Sequence, residues 1–130
     1  MKRFALIALV IATGALIVFS PQGKASSGKK QTGVVEFSGR VKLRDVYLTG
    51  KYMFVHDDDK MARGEPCTTV YDYNENKKGA LIMEFHCTPV ERSKAEKFFV
   101  RSVMLGPPHN LPEIREFQFA GSTEGHQVPR

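Results

Sequence analysis

The segment Cys67–Cys87, CTTVYDYNENKKGALIMEFHC, decides the fold. Two runs rich in Thr, Val, Tyr, Ile and Phe flank a polar stretch from Asn74 to Gly79. β-Branched and aromatic runs bounded by turn residues read as strands, and a short polar interval between them reads as a hairpin. With the turn centred near Lys77, Tyr73 pairs with Leu81, Tyr71 with Met83, Thr69 with Phe85 and Cys67 with Cys87. The thiols then face each other on the side that carries the aromatic rings. Directly opposed residues have Cβ atoms about 4.5–5.5 Å apart, and a disulfide needs about 3.5–4.5 Å, so only the closer, non-hydrogen-bonded type of pair suits a bridge. These are the chain's only cysteines. A bridge closing a loop of about 20 residues stabilises by about 3 kcal/mol in the chain-entropy model. The preferred reading is a structural Cys67–Cys87 disulfide. A pair of buried free thiols and a redox-active or metal-bound pair stay open as alternatives. There is no C-x-x-C, so thioredoxin-like chemistry has no support.

The two-residue rhythm continues on both sides. Val35 and Phe37 alternate with Glu36, and Val41 and Leu43 with Lys42. Val46 and Leu48 resume after Asp45 with shifted parity, which predicts a bulge, and Thr49-Gly50 reads as a turn. Tyr52, Phe54 and His56 share one face of the next strand. Glu96–Leu105 and Ile114–Phe119 supply later strands, separated by Gly106-Pro107-Pro108 and Asn110-Leu111-Pro112. Only Asp58–Arg63 and Glu91–Lys97 have helical composition, for one and about two turns. About seven short strands predict an all-β fold, an antiparallel small barrel or sandwich. The expected organisation is a disordered linker at 26–32, one β domain at 33–121 and a flexible tail at 122–130.

The start of the chain sets the compartment. Lys2 and Arg3 precede an uncharged apolar run from Phe4 to Phe19, and Gly23 and Ala25 frame a cleavage point after Ala25. This is the form of a secretory signal peptide over residues 1–25, leaving a mature chain of about 105 residues in the periplasm or outside the cell. A retained anchor is the competing reading, but the run is short of the about 20 apolar residues a span needs. No later segment is apolar enough to cross a bilayer. The leader also carries much of the charge. The full chain has 19 basic and 14 acidic residues; losing Lys2, Arg3 and Lys24 leaves 16 against 14, and beyond Lys29 and Lys30 the balance is neutral. A nucleic-acid binder shows a basic stripe on its folded domain, so this class is set aside.

Candidate chemistry centres on histidines, cysteines and one acidic run. His56, Cys67 and Cys87 are sensible ligands for copper or zinc. His86 is adjacent to Cys87, yet neighbours in a strand point to opposite faces, so both reach one ion only if the strand ends or bulges there. The plainer reading of His86 is a solvated outer-face residue. His56-Asp57-Asp58-Asp59 is the densest acidic group, without the alternating ligands, central Gly and distal Glu of an EF-hand loop. Its plain reading is an acidic loop tip neutralised by Lys60 and Arg63. A polar or metal site at His56, Asp57 and Asp58, with His86 as a further candidate, is the preferred functional patch. Ser122, in GSTEG, sits one position away from a nucleophile elbow with no helix to follow, so no catalytic residue is assigned. His109 and His126 read as exposed loop and tail residues.

The spacing of His56-Asp57-Asp58, Lys60-Met61-Ala62-Arg63-Gly64-Glu65-Pro66-Cys67, Phe85-His86-Cys87 and Pro89-Val90-Glu91-Arg92 resembles small exported proteins of soil bacteria. The resemblance covers most of residues 33–121. It implies a bacterial secretory or periplasmic origin and brings no activity or ligand with it. The expectation is a non-enzymatic exported β module, fixed by the disulfide, that binds a small ligand or an envelope component and has no cofactor. Tyr52, Phe54, Tyr71, Phe85, Phe98 and Phe117 offer an apolar wall, although core packing explains them more simply. The alternative is a periplasmic copper- or zinc-binding or redox protein using His56, Cys67 and Cys87.

Overall fold

The computed structural model describes residues 29–130. The proposed leader and residues 26–28 of the linker lie outside the described residues; the rest of the linker is not disordered, because Lys30, Gln31 and Thr32 begin β1 and pair with Asp57, His56 and Val55. The chain forms β1 (Lys30–Leu43), β2 (Val46–Asp57), α1 (Asp58–Ala62), β3 (Thr68–Asn74), β4 (Lys77–Phe85), β5 (Thr88–Glu91), β6 (Phe99–Met104), β7 (Pro112–Gln118) and β8 (Glu124–Gln127). The all-β expectation holds. Eight strands form one sheet in the order β4-β3-β2-β1-β7-β8-β5, with β6 also paired to β7. The sheet is mixed, because β1 meets β7 in parallel through Lys42 and Glu113, while the other pairs are antiparallel. It is open, not closed as a barrel. Among the described residues, no helix is long and apolar enough to cross a membrane.

Turn chemistry explains where the expected registers fail. The parity shift after Asp45 is a hairpin, not a bulge: Leu43 pairs with Val46 across a turn in which Arg44 has φ 55°. Thr49-Gly50 is no turn and lies inside β2, with Gly50 opposite Phe37. The irregularity sits in β1, between Phe37 and Val41, and Gly50 absorbs it with φ +99°, a conformation open to glycine at little cost. The β3–β4 turn is centred on Glu75 and Asn76, with φ 51° and 61°, both central positions left-handed. Asn74 therefore pairs with Lys77, Tyr71 with Leu81 and Thr68 with Phe85. The turn lies about a residue and a half before the expected centre, and irregularities between Tyr73 and Tyr71 and between Tyr71 and Val70 return part of that shift, leaving Cys67 and Cys87 just beyond the ladder and not a cross-strand pair.

Two other expectations give way to backbone pairing. The Glu91–Lys97 helix does not form: β5 ends there and the chain runs alongside residues 119–123. The Arg92 N–H donates to the Thr123 carbonyl at 2.8 Å and the Gly121 N–H to the Ala95 carbonyl at 2.7 Å. The 122–130 tail is not free, since β8 pairs with both β5 and β7. The one-turn helix at Asp58 does form. Asp57 caps it, its carboxylate accepting from the Asp59 N–H at 2.9 Å.

The core follows the strand faces. On β2 the even positions Leu48, Tyr52, Phe54 and His56 are buried. Val70 on β3 lies opposite Phe54, and Thr68 opposite His56. Phe117 and Ile114 on β7, and Phe119 just after it, bring the other wing of the sheet onto these residues. Phe54 and Phe117 have ring centroids 5.3 Å apart, and Phe117 meets Phe119 edge-on at 5.7 Å. The expected aromatic wall is thus largely a packed core.

Candidate metal centre

His56 and His126 sit where the two wings meet, and both are fully buried. His56 is the last inward residue of β2, between Gln31 on β1 and Thr68 on β3. His126 is on β8, opposite Phe117 on β7 and Pro89 on β5. Its ring stacks on Phe117 at 5.2 Å and lies 4.2 Å from the His56 ring. The aromatic core therefore continues into an imidazole pair.

The sulfurs arrive from two breaks in the sheet. Chain entry into β3 is fixed by the Asp57 N–H, which donates to the Cys67 carbonyl at 3.0 Å and closes the α1 excursion. Cys87 lies in the two-residue gap between β4 and β5. That gap turns Cys87 inward, while His86 is exposed. Cys67 Sγ and Cys87 Sγ are 3.0 Å apart and unbonded. Cys87 Sγ is 3.5 Å from His126 Nδ1. Ligand atoms of His56, Cys87 and His126 all lie within 4.8 Å of one another. Cys67 touches this trio through Cys87.

Two carboxylates flank the histidines. Asp58 Oδ1 is 3.4 Å from His56 Nδ1, and Glu124 Oε1 is 3.7 Å from His126 Nε2. Neither contact is aligned as a hydrogen bond: both His56 nitrogens and His126 Nε2 have no hydrogen-bond partner among the described residues. Asp57 is turned to its capping role and to Lys30 Nζ at 4.0 Å. The acidic run thus divides, with Asp57 on the helix end and Asp58 toward His56.

Burial dominates the electrostatics. It lowers the His56 pKa against the opposing charges of Asp58 and Asp57. It lowers His126 to about 4, helped by His56. It pushes the Cys87 thiol up to about 12, helped by its contact with Cys67. Burial and then Asp58 raise the Glu124 pKa. At neutral pH this describes two neutral imidazoles beside a protonated thiol. Neutral imidazole is the form that binds a metal, and a cation at the thiol displaces its proton.

No family model, curated protein or solved structure matches the chain.

Of the residues singled out in the sequence, His56, Cys67, Cys87 and Asp58 come together. Asp57 and His86 do not join them. His126 was missed because GSTEGHQVP reads as a polar tail. The available signal was short: His126 and Val128 are two apart, and both are buried. His109 is exposed, as expected.

Proposed function

We propose that this chain is a small exported β-sheet protein that binds one copper or zinc ion through His56, Cys87 and His126. The observation that carries this reading is one thiol and two fully buried imidazoles whose ligand atoms lie within 4.8 Å of one another, both nitrogens of His56 being without a partner. An unsatisfied buried polar group costs about 1–3 kcal/mol, so a ligand that satisfies such groups recovers a substantial free energy. The donors match the ion class, because imidazole and thiolate together suit copper and zinc over hard cations. The spacing agrees too. Bond lengths of about 2.3 Å to sulfur and 2.0–2.1 Å to nitrogen at a tetrahedral angle put S and N about 3.6 Å apart. The separation of Cys87 Sγ from His126 Nδ1 is 3.5 Å. A metal at Nδ1 of His126 leaves Nε2 facing Glu124, the carboxylate–histidine arrangement that orients metal-bound rings.

The test is metal titration of the reduced protein, with zinc(II), and separately with copper(I) under anaerobic conditions. One equivalent should bind, and His126→Ala should weaken binding by more than the about 10–100-fold typical of an orienting partner. Cobalt(II) should give a thiolate charge-transfer band that Cys87→Ser abolishes. Failure of all three ions to bind at one equivalent refutes the reading.

The sulfur contact of 3.0 Å supports a second role for the same pair, a Cys67–Cys87 bridge that fastens the start of β3 to the β4–β5 link. Thiol titration of denatured, unreduced protein reads it directly. No reactive thiol is the outcome a bridge requires.

A further inference from the structure

We infer that the two roles of Cys87 are alternatives, so that the Cys67–Cys87 pair acts as a redox gate on the metal site; this rests on the metal-binding reading above. The two sulfurs lie close to bonding distance. They are 3.0 Å apart. A disulfide requires about 2.0 Å. Closing to a bond takes about 1 Å. Each cysteine lies outside the β3–β4 ladder, which ends at Thr68 and Phe85. Neither sulfur is held by a strand pair.

Bridging removes the trio's only anionic donor. Once Cys87 Sγ is bonded to Cys67 Sγ, His56 and His126 remain as two neutral nitrogens, and two imidazoles hold zinc or copper(I) far more weakly than two imidazoles with a thiolate. Conversely, an ion seated on Cys87 competes for the electron pair that attacks an oxidant, so oxidation of loaded protein proceeds as the ion dissociates and excess oxidant draws the release to completion. Access orders the steps. Cys87 is partly exposed, whereas Cys67 is buried. A small-molecule disulfide therefore meets Cys87 first. Cys87 attacks it as its thiol proton passes to solvent, forming a mixed disulfide and releasing one thiolate of the oxidant, which takes up a proton. The Cys67 thiolate then attacks the Cys87 sulfur, forming the internal bond and releasing the second. The protein loses two protons and two electrons, and the oxidant becomes two thiols.

The experiment uses reduced protein loaded with one equivalent of zinc(II) and treated with excess oxidised glutathione. Free thiols, intact mass and released zinc are followed together. The expected result is loss of both thiols, a mass decrease of about 2 Da relative to the reduced apoprotein and release of one zinc, with binding restored by a phosphine reductant. The oxidised protein should bind zinc at least about 100-fold more weakly than the reduced one. Cys67→Ser should stop at a glutathione adduct on Cys87. A bridged protein that keeps its zinc overturns the gate while leaving the metal site standing. A wild-type protein that stops at the adduct overturns it as well. Reduced protein that takes up no zinc overturns both the gate and the reading on which it rests.

Discussion

Lowering the pH from 7 to 5 should destabilise the metal-free, reduced protein by about 2 kcal/mol through His126. Its pKa falls from an ordinary 6.5 to about 4 on folding, because burial disfavours the imidazolium and His56 adds to the effect. A depressed folded pKa means that the unfolded chain binds more protons between the two values. Stability is then full above about pH 6.5 and is lost as the pH falls toward 4. The whole shift corresponds to about 3 kcal/mol at about 1.36 kcal/mol per unit, and about 2 kcal/mol of it falls between pH 7 and 5. His56 shifts in the same direction and adds to the loss. Glu124 works against it: its raised pKa stabilises below its unfolded value and is lost as the pH rises, but its side chain is half exposed and its share is small. Glu116 is lowered by its Arg92 bond and acts only below its ordinary 4.5. The assay is urea unfolding at pH 7 and 5 with a chelator and a phosphine reductant present. With a urea slope of about 1–2 kcal/mol/M, the midpoint should fall by about 1–2 M. His126→Phe keeps the ring contact with Phe117 and should flatten the dependence by about 2 kcal/mol. A midpoint that does not move between pH 7 and 5, or a His126 ring that titrates near 6.5, would refute the burial argument.

Three further outcomes follow from the packing. Glu116 is buried and takes bonds from the Arg92 guanidinium at 2.7 and 2.8 Å and from Arg101, so Glu116→Gln should lower unfolding free energy by about 1–3 kcal/mol in a denaturant titration. The double substitution Glu75→Asn with Asn76→Gly relieves two left-handed residues at the β3–β4 turn and should raise the melting temperature, by a stabilisation of about 1 kcal/mol. The Phe98 ring lies directly over Gly33, opposite Phe54, so the methyl of Gly33→Ala displaces that ring and should destabilise by about 1–3 kcal/mol.

The strands were legible where one face is buried and the other wet. On β2, alternation identified Tyr52, Phe54 and His56 as one inward row, and their burial bears this out. What alternation does not encode is where a hairpin turns. Nothing in the composition of Asn74–Gly79 distinguishes a turn at Glu75-Asn76 from one at Lys77, and the error carried the cysteines one register step out of place. The sulfurs meet all the same, because the chain breaks the ladder at both ends. The closing of the Glu91–Lys97 segment on residues 119–123 was invisible for a related reason. Local propensity favours helix there, and only the long-range hydrogen bonds of Arg92, Ala95 and Gly121 decide against it. His126 depends on the same long-range event, since β8 exists only by pairing with β5 and β7.

Under the metal-binding proposal, the imidazole pair gives up stability in exchange for a ligand site. A domain of this size has little free energy to lose, and a hydrophobic residue at either position would strengthen the core. Instead, the last inward positions of β2 and β8 carry rings on which both His56 nitrogens and His126 Nε2 go unpartnered, and burial holds those rings neutral. The same burial that weakens the apoprotein prepares the ligand. It keeps the nitrogen lone pairs free of protons and excludes water that would compete for the ion. Outer carboxylates at Asp58 and Glu124 stand within 3.4 and 3.7 Å of the rings, near enough to turn and hold them once a cation is present. Under the metal-binding proposal, therefore, the arrangement that weakens the empty protein must be completed by the ion, with the metal-loaded protein more stable than the metal-free one.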